Sequence, residues 1–218
     1  MKKTDFLKCK NWMKYEPYLL SGEWHVHTNY TDGNNSVAEY CEQAIKSRVP
    51  LVVFSEHVRR NLDYNFHSLL EEIEVTQKKY PELIILSGCE VKVLETGGLD
   101  VSDEVLKQSE IVLMAFHSFP VDEQRYYSAL KTALTNPNVD IWAHPGLFLA
   151  RNGLRLNRSQ IGEISSIAFQ NNVLIELNAK YNMPPREWIN IWKGTVRFVR
   201  GSDIHGLRDF ERGSWNAI

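Results

Sequence analysis

Cysteine is scarce in this chain, with three in 218 residues, Cys9, Cys41 and Cys89, and no Cys-x-x-Cys pair among them. An odd, widely spaced set argues against a disulfide framework or a zinc ribbon, so reduced thiols are expected, with Cys41 and Cys89 in apolar settings. Long hydrophobic runs are missing as well. No stretch approaches the ~20 apolar residues of a membrane span, and the lysine-dotted start MKKTDFLKCKNWMKYEPYLL lacks the continuous apolar segment of a secretion signal. The expected address is the cytoplasm, with no membrane partner. Charge of one sign is not in excess either: 25 basic against 27 acidic residues leave a net −2. That balance gives no pull toward a polyanion, so no stable nucleic-acid complex is expected, while a small or single-stranded substrate stays compatible. There is no glycine-rich phosphate loop, internal repeat, low-complexity tract or linker.

What remains, with 43% hydrophobic residues, is enough for one core. Short apolar, β-branched runs alternate with polar stretches of helical spacing about seven times, the pattern of βα units with parallel strands. The expected strands are 23–27, 51–55, 83–91, 111–117, 139–144, 173–178 and 196–202. Expected helices fill 36–47, 66–79, 103–108, 122–135, 159–171 and 185–192, several opening on a capping Ser or Asp. The domain is therefore placed at 22–218, with 1–21 as an N-terminal extension. Charged and imidazole residues end almost every strand, which favours a closed α/β barrel over an open sheet, where they would gather at a switch point.

Six of the seven histidines sit at or just past an expected strand end: His25, His27, His57, His117, His144 and His205. In Glu23-Trp24-His25-Val26-His27 the two-residue period of a strand puts both imidazoles, and Glu23, on one face. Partners follow in order: Asp32, His57, Glu90, His117, His144, Asp203 and His205. These nine nitrogen and oxygen donors suit Zn, Mn or Fe, and they exceed what one ion needs. Two to three divalent ions are implied, with Glu90 as the natural bridge between adjacent cations.

The motifs HVHT, SEH, GCE, FHS, AHPG and GSDIHG, in this order over about residues 22–207, resemble those of the PHP (polymerase and histidinol phosphatase) family of metal-dependent phosphoesterases. The resemblance implies a distorted seven-stranded (β/α) TIM-like barrel with three metals at the C-terminal strand ends. It assigns His25, His27, Glu90 and Asp203 to the first metal, Glu90, His117 and His144 to the second, and Asp32, His57 and His205 to the third. The family usually has Asp where this chain has Glu23 and Glu56, a longer arm with the same charge.

The implied activity is hydrolysis of a small phosphomonoester by a hydroxide held between the metals. Asp203 is both ligand and candidate catalytic proton shuttle. Arg59, Arg60, Arg151 and Arg208 are the candidate cations for a small phosphorylated substrate. Tyr30, Tyr64, Phe119 and Phe148 read as packing, His67 as an exposed helical residue, Trp188 and Trp192 as a helical face against the barrel, and Glu176 with Asn178 as supports near the pocket. Three other functions compete: a phosphodiesterase or 3′ exonuclease, hydrolysis of an amide or lactone, and a non-catalytic metal-stabilised binding module.

Overall fold

Seven apolar runs form seven parallel strands in the computed structural model, which describes residues 10–211. The strands are β1 (Glu23–Val26), β2 (Leu51–Val58), β3 (Ile84–Lys92), β4 (Ile111–Ala115), β5 (Ile141–Trp142), β6 (Leu174–Asn178) and β7 (Phe198–Gly201). Their spatial order is their chain order. The ends of the sheet meet through a parallel bridge between Val26 and Ile204. There His27 N–H donates to the Ile204 carbonyl and Ile204 N–H to that of His25, both at 2.9 Å. The result is a nearly closed barrel, sealed where the histidines begin.

Helices α1 (Val37–Lys46), α2 (Phe66–Lys79), α3 (Asp103–Gln108), α4 (Glu123–Leu134), α5 (Leu147–Arg151), α6 (Arg158–Gln170) and α7 (Arg186–Trp192) fill the crossovers. Side chains that accept from orphan amides start most of them: Ser36 and Asn157 in reciprocal boxes with Glu39 and Gln160, and Asn65, Ser102 and Asp122 alone. The short α5 was not expected from the sequence, because His-Pro-Gly-Leu reads as loop. Strand β5 is shorter than expected, and β2 longer, carrying His57 inside the ladder.

Strand alternation builds two apolar layers. Val52, Phe54, Ile85, Val91, Val112, Met114 and Ile175 face outward and pack with buried helix residues such as Tyr40, Leu69, Leu130 and Ile164. The opposite set, Leu51, Val53, Leu86, Ile111, Leu113, Ala115, Ile141, Leu174 and Val199, fills the barrel. Trp12 joins this inner cluster from a 3₁₀ segment, Asn11–Tyr18, and its indole N–H donates to the Asn172 carbonyl at 3.0 Å. Lys10 Nζ donates to the Pro137 carbonyl at 2.8 Å and also to that of Val139. The described part of the extension thus plugs one end of the barrel. Cys41 and Cys89 are free and buried, and burial pushes both thiols up to about 12; Cys9 lies outside the described residues. No helix among the described residues is long and apolar enough to cross a membrane.

Candidate metal centre

Following the inward-facing alternation toward the C-terminal ends of the strands changes the chemistry abruptly. On β2 the series Leu51, Val53 and Ser55 continues to His57; on β3 Leu86 and Gly88 lead to Glu90; on β4 Ile111, Leu113 and Ala115 lead to His117. On β6 Leu174 is followed by Glu176 and Asn178, and past β7 the register of Val199 and Gly201 reaches Asp203. Ladder pairing fixes these heights, since His57 is directly opposite Glu90. A Cβ on Gly201 would lie 2.0 Å from the Glu176 carboxylate, so only glycine leaves that carboxylate its place.

His144 departs from the alternation, and both His144 and Asp203 hold a left-handed backbone, with φ of 31° and 49°. Non-glycine residues in this region carry a cost of order 1–3 kcal/mol that surrounding structure must offset. At His144 the left-handed turn ends β5 early and swings the imidazole inward after Ala143, itself an inner residue.

Glu90 is the hub, fully buried. Its carboxylate lies 2.8 Å from His57 Nδ1, 2.9 Å from His144 Nε2, 3.3 Å from His117 Nε2, 3.5 Å from His25 Nε2 and 3.6 Å from His27 Nε2. Asp203 Oδ1 stands 3.2 Å from His27 Nε2 and 3.6 Å from His25 Nε2. Asp32 Oδ2 stands 3.2 Å from His205 Nε2 and 3.5 Å from His57 Nε2. Three groups have donor atoms mutually within 4.8 Å: His25, His27 and Asp203; His57, Glu90 and His117; and His27, Asp32, His57 and His205. Among the described residues these groups hold eight of the nine donors named from the sequence, with His57 and His27 each shared between two, and His144 joins them through its contact with Glu90.

Five buried atoms in this cluster, His25 Nε2, His27 Nδ1 and Nε2, His57 Nδ1 and Glu90 Oε2, make no hydrogen bond. Crowded imidazole and carboxylate lone pairs that do not satisfy one another match what divalent transition metals take. Burial drops His27 to about 4, leaving a neutral imidazole. Burial opposes ionisation of Glu90, yet the neighbouring His117 and His25 hold it well below the usual carboxylate range. Asp203 is held low by His27 and His25 against its own burial, and Asp32 is held low by hydrogen bonds from His205 and His57. Burial lowers His57, but Asp32 and Glu90 outweigh it and push it up to about 10; a cation binding among these groups displaces such a proton.

Surrounding contacts orient the donors. Glu176 Oε1 lies 2.7 Å from His25 Nδ1, its other oxygen accepts from the His144 amide, and Asn178 Nδ2 donates to it at 3.2 Å. Glu56 accepts from the Thr28 amide at 2.7 Å and from the Thr31 hydroxyl, tying down the loop that carries Asp32. Glu23, expected on the face of His25 and His27, instead accepts from Ser202 N–H at 2.7 Å and Oγ at 2.9 Å. A register shift within β1 breaks the two-residue period there. Burial raises Glu23 to about 7.

A cavity of about 130 Å³ opens at the cluster and includes Arg151, Tyr181, Phe116 and Leu147 in its lining. Arg59 lines an adjoining hollow of about 380 Å³ with Tyr30, Tyr64 and His57. Arg60 lines a third hollow with Asn65 and Gln108, and Arg208 is exposed on the 3₁₀ segment Leu207–Glu211, so neither borders the cavity at the donors. Phe119 and Phe148 pack with Phe116 and Tyr126, Trp188 and Trp192 against Trp142, and His67 is exposed beside Glu71. Sequence reasoning missed Lys180 and Tyr181. Lys180 Nζ donates at 3.1 Å to both Asp203 Oδ2 and the Asp203 carbonyl. The available signal was their position just past the Asn178 strand end.

Fold and site together define a TIM-like barrel with a histidine–carboxylate centre at the C-terminal ends of its strands. The PHP domain family model matches residues 23–180, and the chain belongs to that family. It is 32% identical over 200 residues to the DNA polymerase/3'-5' exonuclease PolX of Bacillus subtilis (strain 168), an alignment covering 86% of this chain and 35% of that protein. It is 30% identical over 129 residues to a probable phosphatase of Thermoanaerobacter sp. (strain X514), covering 56% of this chain and 52% of that one. The chain thus spans about a third of the first relative and half of the second. Among solved structures it is similar to histidinol phosphate phosphatase from Lactococcus lactis, complexed with zinc, L-histidinol and phosphate. The TM-score is 0.69 at 16% identity, over 87% of this chain and 89% of that one, a likeness of fold.

Proposed function

We propose that this chain is a cytoplasmic metal-dependent phosphoesterase that hydrolyses a small phosphomonoester at a centre of two to three divalent ions, Zn, Mn or Fe. The observation that carries the reading is the buried Glu90 carboxylate with five imidazoles within 3.6 Å. Such a carboxylate is costly to bury unless cations neutralise the cluster. The residues that would hold the ions are His25, His27, Glu90 and Asp203 for the first, Glu90, His117 and His144 for the second, and Asp32, His57 and His205 for the third. When bound, the ions lower the pKa of a water from 15.7 toward about 7 and stabilise charge developing on the phosphoryl oxygens.

The chain's own residues do the rest. Asp203 presents Oδ1 to His25 and His27 and turns Oδ2 to Lys180, a division that lets one carboxylate both ligate and accept a proton. Arg151 offers a guanidinium fork to phosphoryl oxygens. Arg59, beside Tyr30 and Tyr64, faces the hollow next to the cavity, where the leaving group has room.

The test is phosphate release by stripped protein reconstituted separately with Zn, Mn and Fe, over phosphomonoesters, nucleotides, cyclic phosphates and short single-stranded DNA. Metal-dependent turnover of a monoester class is expected. Cleavage of diesters or DNA instead would favour the second reading, a 3′ exonuclease, which the name of the Bacillus relative suggests. Silence across the panel with metal bound would overturn both.

A further inference from the structure

The cavity at the donors, about 130 Å³, is well under the ~300–1,000 Å³ of pockets that enclose a whole small ligand. It suits a phosphoryl group whose remaining atoms lie outside. Six of its ten lining residues are donors, among them Asp203 and its neighbour His205; the rest are Phe116, Leu147, Arg151 and Tyr181. Two cations converge on Tyr181. The Arg151 guanidinium carbon stands 5.1 Å from its ring centroid and Lys180 Nζ stands 5.2 Å from it. The same ring meets His144 edge-on at 6.0 Å. Lys180 is fixed by its two bonds to Asp203, and its Nζ lies 3.2 Å from His205 Nδ1, so it touches two residues of the cavity wall. Arg151 comes from α5 and Lys180 from the turn after β6, segments that contribute no metal donor.

We propose that Arg151 and Lys180, spaced by Tyr181, read the charge of the phosphoryl group and make this site select dianionic monoesters over monoanionic diesters. The inference rests on the phosphoesterase reading above and deepens it. A phosphomonoester carries about −1.5 to −2 at pH 7 and three terminal oxygens; a diester carries one charge, two terminal oxygens and a second ester arm. With Asp32, Glu90 and Asp203 neutralised by the ions they would hold, Coulomb attraction from two further cations beside the cavity acts on the additional charge of the monoester. Arginine's fork matches two terminal oxygens at once, whereas lysine acts as a point charge. Stacking on Tyr181 keeps the guanidinium from falling onto the carboxylates. Within a cavity of this size, the aliphatic and phenyl lining open to a diester's second arm is Leu147 and Phe116.

The experiment compares kcat/KM for p-nitrophenyl phosphate and methyl p-nitrophenyl phosphate, which share a leaving group, using metal-loaded wild type, Arg151→Gln, Lys180→Gln, Lys180→Arg and the exposed control Lys193→Gln. Metal content is measured for each, and calorimetry gives the affinity for inorganic phosphate. Arg151→Gln and Lys180→Gln should each lower the monoester value by about tenfold or more, the loss of a charged hydrogen bond. The diester value should change less than about threefold, and phosphate affinity should weaken in parallel with the monoester. Lys180→Arg should recover most of the loss, and Lys193→Gln should lose nothing. Equal losses on both esters, or losses that track metal content, overturn the inference. Wild type that binds metal yet hydrolyses neither ester refutes the phosphoesterase reading itself, and the calorimetry then still decides whether these two residues hold phosphate: undiminished affinity in both variants overturns the inference.

Discussion

The two halves of the barrel interior are built from the same strands with the same two-residue period, yet they share almost no chemistry. The half nearer the N-terminal strand ends is Leu51, Val53, Leu86, Ile111, Leu113, Ile141, Leu174 and Val199, closed by Trp12. The other half, one or two side chains further along each strand, is imidazole and carboxylate. The apolar half contributes folding free energy through buried area. The polar half contributes none of that; it crowds ionised groups, and two of its residues sit at positive φ. The lesson is a division of labour along each strand: the register that stabilises the lower half is the device that aims the donors in the upper half.

The upper half loses its chemistry most severely at Glu90. Glu90→Gln should cut metal-dependent turnover by on the order of 10³-fold or more while the circular dichroism spectrum of the folded chain stays the same. Leu113→Ala should do the reverse. This fully buried side chain lies in the lower half, and its loss should cost about 2–5 kcal/mol in urea unfolding, with kcat per folded molecule within about twofold of wild type. Between these extremes, Glu176→Gln disturbs only the orientation of His25 and His144. Metal affinity by chelator competition should fall about 10–100-fold with little change in unfolding free energy.

The smallest effect concerns a charge beneath the barrel. Asp140 is buried and accepts from Val112 N–H at 3.0 Å; burial raises it from 3.8 to about 6, with Lys10 only partly opposing. Because the folded pKa is the higher one, the stabilisation from protonating it is complete below about pH 4 and is lost as pH rises through about 6. Asp140→Asn keeps an acceptor for Val112. It should flatten that stretch of the stability–pH curve and add about 1–2 kcal/mol at pH 7.5, read by urea unfolding at several pH values.

The upper half was the easier one to read from sequence. Histidines ending strand after strand leave a collective signal, and strand period carried His57, Glu90 and His117 to the mouth without further help. Glu23 shows where period fails: a register shift in β1 turns it to Ser202. His144 shows a second failure, since its inward direction depends on a left-handed backbone that no local residue preference announces. Lys180 and Tyr181 were passed over because a lysine and a tyrosine beyond a strand end resemble any solvated turn, and only the tertiary closeness of Asp203 and Arg151 distinguishes them. Trp12 was hidden for a similar reason: its partners, including Asn172 and the inner cluster, lie far away in sequence.

The donor cluster, on the reading proposed above, is a metal centre for phosphate-ester hydrolysis. The most direct test is phosphate release from a phosphomonoester by chelator-stripped protein before and after adding back Zn, Mn or Fe, run beside Asp203→Ala. Silence is expected when stripped, recovery with metal, and no recovery in Asp203→Ala. Release that survives stripping, or that is undiminished in Asp203→Ala, would contradict it.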